Sequence, residues 1–332
     1  MMLNPKFELS MTLNTNKFQR VFDNCCNKSL CLEELDNGEY ADRSLAAKGI
    51  TVIFRDSQYK KKVRLLVNPC VALDDPSDID RLIRKLDKHI FEHFDRRYTL
   101  NDFILSGMTI TGDIDVGSRV NVCNYLKVIR RVGRVKGFSP ICYECFDDKA
   151  SFCLSGNSND TDFLLYGLEK FVADQLRSAD AGQKKLQTAG EQTKGILRAE
   201  VRLTKQKAIR EYTDTTDTSD QIVEMMKNSK EIFIEIFARV VPFGDFYKMD
   251  AAVEIVRSEV KDHVMRRKML RLLALIPEKK SLHLAQKAMN CRDIEKVMDT
   301  FAKLCLSPVT ISKRHEVKQL ECLYEYILGK KQ

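Results

Sequence analysis

The segment Gly195–Lys205 constrains the fold more than any other part of the chain, because apolar and charged residues alternate along it. Successive side chains of a β-strand point to opposite faces of the sheet. The four apolar residues between 197 and 203 therefore share one face, and Arg198, Glu200 and Arg202 share the other. The pattern predicts a strand that buries one face and presents a carboxylate between two guanidiniums on the other.

Such a charged strand face suits the chemistry of a phosphodiester. A carboxylate is an oxygen ligand for a hard cation such as Mg²⁺, and fixed positive charge binds phosphate oxygens. The alternative is a solvated strand face whose ion pairs satisfy one another and contribute little. The strand alone does not distinguish these two interpretations.

Basic residues are clustered along the chain, which carries a formal net charge of +8. Residues 118–143 contain six basic side chains and no acidic one, and further clusters lie at 60–64 and 194–210. Clustered positive charge indicates a polyanionic partner, and phosphate contacts to nucleic acid are typical of it. We predict DNA contacts from the following residues: Arg119, Lys127, Arg130, Arg131, Arg134, Lys136, Arg202 and Lys205.

Composition favours an intracellular protein with two domains. The chain has 332 residues, of which 44% are hydrophobic, and contains no apolar run of membrane-spanning length and no charged-then-apolar leader. Its eleven cysteines are scattered without a disulfide-like spacing, so we predict a reducing, cytoplasmic location and no membrane association. Cys142 and Cys145 are predicted to be strand cysteines, with zinc binding as the less favoured alternative.

The predicted fold class is α+β, with a change of character after residue 212. Residues 1–212 are predicted to form an antiparallel-rich sheet with flanking helices, in which strands 103–116 and 196–204 lie near the centre. A hairpin is predicted around residues 49–67, and Ser118 is predicted to cap a basic helix. The polar segment 213–220 is predicted to be a linker. Residues 221–332 are predicted to form an all-helical domain for DNA binding or dimerisation.

Several reactive side chains are predicted to gather on this sheet. Asp113 and Asp115 are two residues apart, so they share a strand face and can share a divalent cation with Glu200. His89 and His93 are spaced one helical turn apart, but no carboxylate or cysteine motif nearby in the sequence completes a metal site with them. Tyr166 adds a hydroxyl for attack on a phosphodiester.

The cations near Tyr166 complete this prediction. Lys170 and Arg198 are predicted to assist Tyr166 or to bind the phosphate, and the charge of Lys170 is expected to lower the phenol pKa from its usual value of about 10. Tyr125, Tyr143 and Tyr212 are the competing tyrosines. Packing of the Tyr166 ring against the sheet is the structural alternative to a catalytic role.

At this point the sequence resembles the replication initiators of rolling-circle plasmids and filamentous phages, the phage gene II protein and trans-acting Rep group. The resemblance is carried by the order of the strand acids and by the segment Tyr-Leu-Lys-Val at 125–128. It is also carried by Gly156-Asn-Ser leading into Tyr166, and by the strand at 197–203 followed by a Lys-rich helix. It covers roughly residues 45–212.

The resemblance implies an enzyme that nicks and rejoins DNA at a replication origin through a 5′-phosphotyrosine, with Mg²⁺ or Mn²⁺ as cofactor. It implies Tyr166 as nucleophile, Asp113, Asp115 and Glu200 as metal ligands, and Arg198 as a phosphate-binding group. Origin DNA is the expected partner, and a second copy of the chain and a host helicase are further candidates. The alternatives are a non-catalytic DNA-binding regulator that keeps the fold, and an interaction protein without nucleic acid.

Overall fold

The computed structural model describes residues 3–28, 32–35, 38–58, 60–75, 78–94, 96–141, 151–158, 160–178 and 183–329. These residues form a large sheet and many helices, so the predicted α+β class is confirmed. The predicted strand at 141–146, with Cys142, Tyr143 and Cys145, lies outside the described residues except for Ile141. None of the described helices is long and apolar enough to cross a membrane.

Ten strands make up the large sheet. They are β1 (Leu3–Leu13), β2 (Leu32–Leu35), β3 (Glu39–Asp42), β4 (Ile50–Asp56), β5 (Lys61–Val67), β6 (Ile104–Asp115), β7 (Phe138–Pro140), β8 (Ser151–Gly156), β9 (Thr161–Gly167) and β10 (Ile196–Leu203). Their order across the sheet is β2-β3-β4-β5-β1-β6-β10-β9-β8-β7. β6 and β10 are therefore neighbours at the middle of the sheet, which confirms the predicted central position of both strands.

Two antiparallel hairpins within the sheet are set by local sequence. β4 and β5 pair with Ile50 opposite Val67, and the β-branched residues of both strands agree with the predicted hairpin. β8 and β9 pair with Ser151 opposite Tyr166. The second hairpin brings Tyr166 into the sheet as a strand residue, two positions away from β6 in the strand order.

The helices lie between and after these strands. They are α1 (Thr15–Lys28), α2 (Pro69–Ala72), α3 (Ile79–His93), α4 (Arg119–Ile129), α5 (Leu168–Ser178), α6 (Gln183–Thr193), α7 (Gln206–Ile209), α8 (Thr218–Val240), α9 (Met249–Glu259), α10 (His263–Lys279), α11 (Leu282–Met289), α12 (Ile294–Lys303) and α13 (Leu323–Ile327). The hydroxyl of Ser118 accepts a hydrogen bond of 3.1 Å from the Asn121 amide, so the predicted N-cap of α4 is confirmed.

The prediction of an all-helical C-terminal region needs one correction. Besides α8 to α13, the region contains two short strands, β11 (Phe246–Tyr247) and β12 (Gln319–Leu320), which pair antiparallel. Phe246 is fully buried. Two-residue strands separated by more than seventy residues leave no periodicity in the sequence, which is why the pattern did not indicate them.

The chain divides into two compact units that are discontinuous in sequence. Unit 1 comprises residues 112–201 and 234–332, and unit 2 comprises residues 3–111 and 202–233. The segment predicted as a linker, 213–220, lies in unit 2, where Thr213 and Thr218 are buried. The hydroxyl of Thr218 donates a hydrogen bond of 2.5 Å to the Phe103 carbonyl. Independent folding of residues 221–332 stays a prediction.

Unit 1 joins the strands of the candidate site to the C-terminal helices. The rings of Phe163 and Phe237 pack with their centroids 5.9 Å apart. The Tyr125 hydroxyl donates a hydrogen bond of 3.0 Å to the Glu321 carbonyl, and the Ser281 hydroxyl donates one of 3.1 Å to the Arg134 carbonyl. Residues on both sides of the predicted linker therefore share the core of unit 1.

Candidate active site and nucleic-acid interface

The strand β10 has the alternation that the sequence predicts. Leu197, Ala199 and Val201 are each 0% exposed, whereas Arg198 is partly exposed on the opposite face. Glu200 lies on the same face as Arg198, because the two residues are two apart in a strand. Glu200 is nevertheless buried, at 7% exposed, so this carboxylate is shielded from solvent.

Arg198 binds Asp113 of the neighbouring strand β6. Its Nε and Nη2 atoms donate to the two carboxylate oxygens of Asp113, at 2.6 Å and 2.7 Å. Paired parallel N–H···O bonds of this kind are the strong, geometrically specific form of an arginine–carboxylate contact. The cation that lies beside Asp113 in this structure is therefore the Arg198 guanidinium.

Tyr166 of β9 and Glu200 of β10 form the other half of the site. The Tyr166 hydroxyl donates a short hydrogen bond to a carboxylate oxygen of Glu200, and the Arg198 guanidinium donates to the same hydroxyl. The polar groups therefore form one chain of contacts from Asp113 through Arg198 and Tyr166 to Glu200. The structure brings together four of the residues predicted from sequence, on three adjacent strands and within unit 1.

The environment of Tyr166 differs from the predicted one. The side chain is 1% exposed and packs with Cys153, Leu164 and Leu168 in an apolar cluster. Burial, followed by the charge and hydrogen bond of Glu200, raises the pKa of the Tyr166 phenol well above its usual value, while Arg198 acts in the opposite direction. The prediction of a lowered phenol pKa is therefore wrong, and the charge that opposes the shift is that of Arg198.

Lys170 lies in the first turn of α5 and is exposed. The charges that act on the Tyr166 phenol are those of Glu200 and Arg198, both of which approach it from β10. Sequence proximity suggested Lys170 because it follows Tyr166 by four residues. However, β9 ends at Gly167 and α5 begins at Leu168. Tyr166 therefore belongs to a strand and Lys170 to a helix, and a separation of four residues does not place their side chains on one face.

The three predicted metal ligands do not converge in this structure. Both Asp113 oxygens are bound by Arg198, and a carboxylate oxygen of Asp115 accepts a hydrogen bond of 2.8 Å from the Gly117 amide. Glu200 accepts from Tyr166. Among the residues that the structure describes, these acids do not form a group of three ligand atoms within 4.8 Å of one another. In this arrangement they do not fit a shared Mg²⁺ or Mn²⁺.

The basic residues of α4 and the turn after it divide into two groups. Arg130 donates two hydrogen bonds, of 3.0 Å and 2.7 Å, to the Ser151 carbonyl, and Arg119 forms an ion pair with Glu169. Those two side chains have partners within the protein. Lys127, Arg134 and Lys136 are exposed, which leaves their charges available to a polyanion.

His315 and Lys248, from the C-terminal part of unit 1, lie near Lys127 and Arg131. Burial lowers the pKa of His315, and the charges of Lys127, Arg131 and Lys248 lower it further. An imidazole on which three cations act marks a region of concentrated positive potential. His315 and Lys248 were not predicted as DNA contacts, because they lie more than a hundred residues from α4 and only tertiary structure brings them near it.

Arg202 and Lys205 belong to unit 2 and lie at the end of β10 and just after it, respectively. Arg202 is partly exposed in β10, and Lys205 is exposed immediately before α7. Both retain the surface exposure that a phosphate contact requires. Their role in DNA binding stays a prediction.

Unit 2 contains a cluster of three potential metal ligands that the sequence analysis did not predict. Cys25, Asp42 and His93 place one potential ligand atom each within 4.8 Å of the other two. The sequence signal was incomplete, because only the pair His89 and His93 has a recognisable spacing. Cys25 and Asp42 come from elements that are 68 and 51 residues away from His93 in sequence.

Comparison with known proteins gives a limited result. No protein-family model matches the sequence, and no curated protein matches it. Among solved structures, the chain is similar to a rolling-circle replication initiator protein from Geobacillus stearothermophilus, at 12% sequence identity and a TM-score of 0.35. The similarity covers 72% of this chain and 86% of that one. A likeness at this level does not define a common fold.

Proposed function

We propose that this protein is a replication initiator that nicks and rejoins one DNA strand at an origin through a covalent 5′-phosphotyrosine. The observation that carries the proposal is the continuous chain of contacts between Asp113, Arg198, Tyr166 and Glu200 on adjacent strands. It supplies a nucleophile, a proton acceptor and a phosphate-binding cation, which are the groups that attack on a phosphodiester requires.

The four residues have distinct parts in the proposed reaction. Glu200 accepts the Tyr166 proton, and Arg198 stabilises the negative charge that develops on the phenol oxygen and on the phosphate. The phenol oxygen forms a bond to phosphorus while the bond to the 3′ oxygen breaks, and that oxygen takes a proton from solvent. Rejoining is the reverse reaction, in which the 3′ hydroxyl attacks the phosphotyrosine. Asp113 holds the Arg198 guanidinium in position.

In the proposed reaction, DNA binding must expose the Tyr166 hydroxyl to the scissile phosphate and bring that phosphate to Arg198. Tyr166 is 1% exposed, so the reaction requires a rearrangement that brings the scissile phosphate to the hydroxyl. Phosphate oxygens near Arg198 would compete with Asp113 for the guanidinium. No step above is assigned to a metal, because the three predicted ligands do not converge in this structure.

A second candidate function is DNA binding without strand cleavage, as in a replication or mobile-element regulator. The burial of Tyr166 and its raised pKa favour this candidate, because both oppose formation of a phenolate. The exposed cations Lys127, Arg134 and Lys136 serve either function. An interaction protein without nucleic acid is the third reading, and failure to bind DNA or heparin at low salt would favour it.

The test is incubation of supercoiled DNA that carries the sequence flanking the gene, with Mg²⁺, with Mn²⁺ and with neither. Initiator function predicts nicked circles with protein covalently attached. Tyr166→Phe should bind the DNA normally and form no adduct, because it lacks only the attacking oxygen. Tyr125→Phe is the matched control, since Tyr125 is also buried and hydrogen-bonded, and it should nick as the unmodified chain does.

The outcomes separate the candidates. Binding without nicking in all three conditions supports the DNA-binding regulator and rejects the nickase. A fully active Tyr166→Phe variant rejects Tyr166 as the nucleophile. Loss of the adduct in both tyrosine variants would mean that the phenol hydrogen bonds support the fold rather than the chemistry.

A further inference from the structure

We propose that Cys25, Asp42 and His93 bind a structural zinc ion in unit 2, separate from the candidate active site and independent of the proposed function. The three residues lie on α1, at the end of β3 and at the end of α3. One potential ligand atom from each residue lies within 4.8 Å of the other two. Three kinds of ligand from three elements converge on one point.

The ligand chemistry identifies the ion. Zn²⁺ binds Cys sulfur, His nitrogen and carboxylate oxygen, with bonds of about 2.3, 2.0–2.1 and 2.0–2.2 Å. A thiolate and an imidazole select zinc over Mg²⁺ or Mn²⁺, which prefer oxygen ligands alone. This cluster is therefore not the Mg²⁺ or Mn²⁺ site predicted from the strand acids.

The spacing of the ligands agrees with a tetrahedral ion. Neighbouring ligand atoms around tetrahedral zinc lie about 3.3–3.7 Å apart, given those bond lengths. The His93 Nε2 atom lies 3.5 Å from the Asp42 Oδ2 atom. That distance exceeds the usual N–H···O hydrogen-bond length of about 2.7–3.2 Å. The spacing of these two atoms therefore agrees with two ligands of one zinc ion.

The surroundings hold the ligands in place. The Asp42 side chain is fully buried in a strand that is paired on both sides, with Leu32 and Val52 as its partners. Its Oδ1 atom accepts a hydrogen bond of 2.8 Å from the Ser44 amide, which directs Oδ2 toward His93. Outer hydrogen bonds of this kind orient ligands in known metal sites.

The same surroundings provide a fourth position. The Ser44 hydroxyl lies 3.5 Å from His93 Nε2, so that hydroxyl, or a water bound to it, would supply the fourth ligand. Cys25 is fully buried and its sulfur lies 3.7 Å from the His93 carbonyl oxygen. On binding zinc, the Cys25 thiol loses its proton to solvent and the sulfur–zinc bond forms. The ion would link α1, β3 and α3.

The chain offers matched control residues for a test. Cys26 is adjacent to Cys25 but projects about 100° away around the helix. His89 precedes His93 by one turn of α3. Neither belongs to the ligand group among the described residues. Cys25→Ser and His93→Gln should each weaken binding, whereas Cys26→Ser and His89→Gln should bind as the unmodified chain does.

The experiment measures metal directly in the full chain. Protein purified without chelator should contain one zinc per chain by elemental analysis, and Co²⁺ should replace it with a near-ultraviolet thiolate-to-cobalt band. Loss of a direct ligand should weaken Co²⁺ binding by more than about 100-fold, since loss of an outer hydrogen bond alone costs about 10–100-fold. X-ray absorption at the zinc edge should show one sulfur neighbour.

Specific results would overturn the proposal. A chain without zinc that gives no thiolate band with Co²⁺ rejects the site. An equal band in Cys25→Ser, or loss of the band in Cys26→Ser, rejects the assigned ligand. If Cys25→Ser does not fold, His93→Gln and the absorption spectrum of the unmodified protein still decide the question.

Discussion

At the residue scale, the hydrogen bond from Tyr166 to Glu200 has a structural role as well as a proposed catalytic one. Glu200 is 7% exposed, so its carboxylate depends on the donors around it. The Tyr166 hydroxyl is one of these donors, and Arg198 contacts the same hydroxyl. A buried charged group that loses a donor retains the cost of its desolvation. The same contact that positions a nucleophile therefore also supports the fold.

At the residue scale we predict that Tyr166→Phe destabilises the protein more than Tyr125→Phe does. Tyr166→Phe removes a donor from a buried carboxylate, at a cost of about 1.5–3 kcal/mol, whereas Tyr125→Phe removes a neutral hydrogen bond to a carbonyl, at about 0.5–1.5 kcal/mol. Urea denaturation measures both free energies of unfolding. Equal losses, or a more stable Tyr166→Phe variant, would contradict a stabilising hydrogen bond from Tyr166 to the buried Glu200 side chain.

At the element scale, some basic residues of α4 and the turn after it support the fold, and others are exposed and available to DNA. Arg130 donates twice to the Ser151 carbonyl of β8, so its replacement would disturb the sheet as well as any DNA contact. Lys127 and Lys136 are exposed and act on His315 and His283, respectively, from the surface. A test of DNA binding should therefore use the two exposed lysines and leave the arginine in place.

We predict that the double variant Lys127→Ala/Lys136→Ala weakens binding to all DNA sequences alike. Phosphate contacts carry no base information, and each one lost should reduce the slope of log affinity against log salt by about 0.9. Fluorescence anisotropy over a range of salt concentrations measures this slope. The double variant Lys227→Ala/Lys230→Ala also removes two exposed lysines, from α8, and should leave the slope unchanged. Selective loss of origin binding would instead show base contacts.

At the scale of the whole molecule, three histidines with a lowered pKa make stability depend on pH. Burial and nearby cations, Lys287 and Lys136 for His283, lower the pKa of that imidazole below its ordinary value of about 6.5. The pKa values of His315 and His89 are also lowered, in both cases chiefly by burial. Below pH 6.5 the unfolded chain therefore binds more protons than the folded chain, and stability falls as the pH falls.

We predict a lower melting temperature at about pH 5.5 than at about pH 7.5, with the loss confined to the range below the ordinary histidine pKa. The double variant His283→Gln/His315→Gln should reduce this dependence. Differential scanning calorimetry measures both. An unchanged dependence in the variant would assign the effect to other groups, and a melting temperature that rises on acidification would contradict the direction of these two shifts.

The core of unit 1 also predicts the result of cleavage in the predicted linker, 213–220. Phe163 packs on Phe237 and Tyr125 binds Glu321 across that segment, within the core of unit 1. A chain cut there should therefore elute as one complex in size-exclusion chromatography. Release of two folded, soluble pieces would instead support the boundary that the change in composition predicts.

Local sequence determined the features that depend on neighbours along the chain. The alternation in β10, the hairpin of β4 and β5, and the Ser118 cap all follow from spacing within a few residues. The same alternation placed Arg198 and Glu200 on one strand face. These predictions succeeded because strand and helix geometry fix the direction of side chains that are close in sequence.

Only the tertiary structure decided which of those side chains meet. Arg198 binds Asp113 across 85 residues, Tyr166 binds Glu200 across 34, and Cys25 lies beside His93 across 68. Burial also decided the pKa of Tyr166, and local sequence indicates neither the solvent exposure of the phenol nor the charges of Glu200 and Arg198 that approach it from the neighbouring strand. Pairing between distant strands and the desolvation that follows depend on the packing of the whole chain, and no local pattern encodes them.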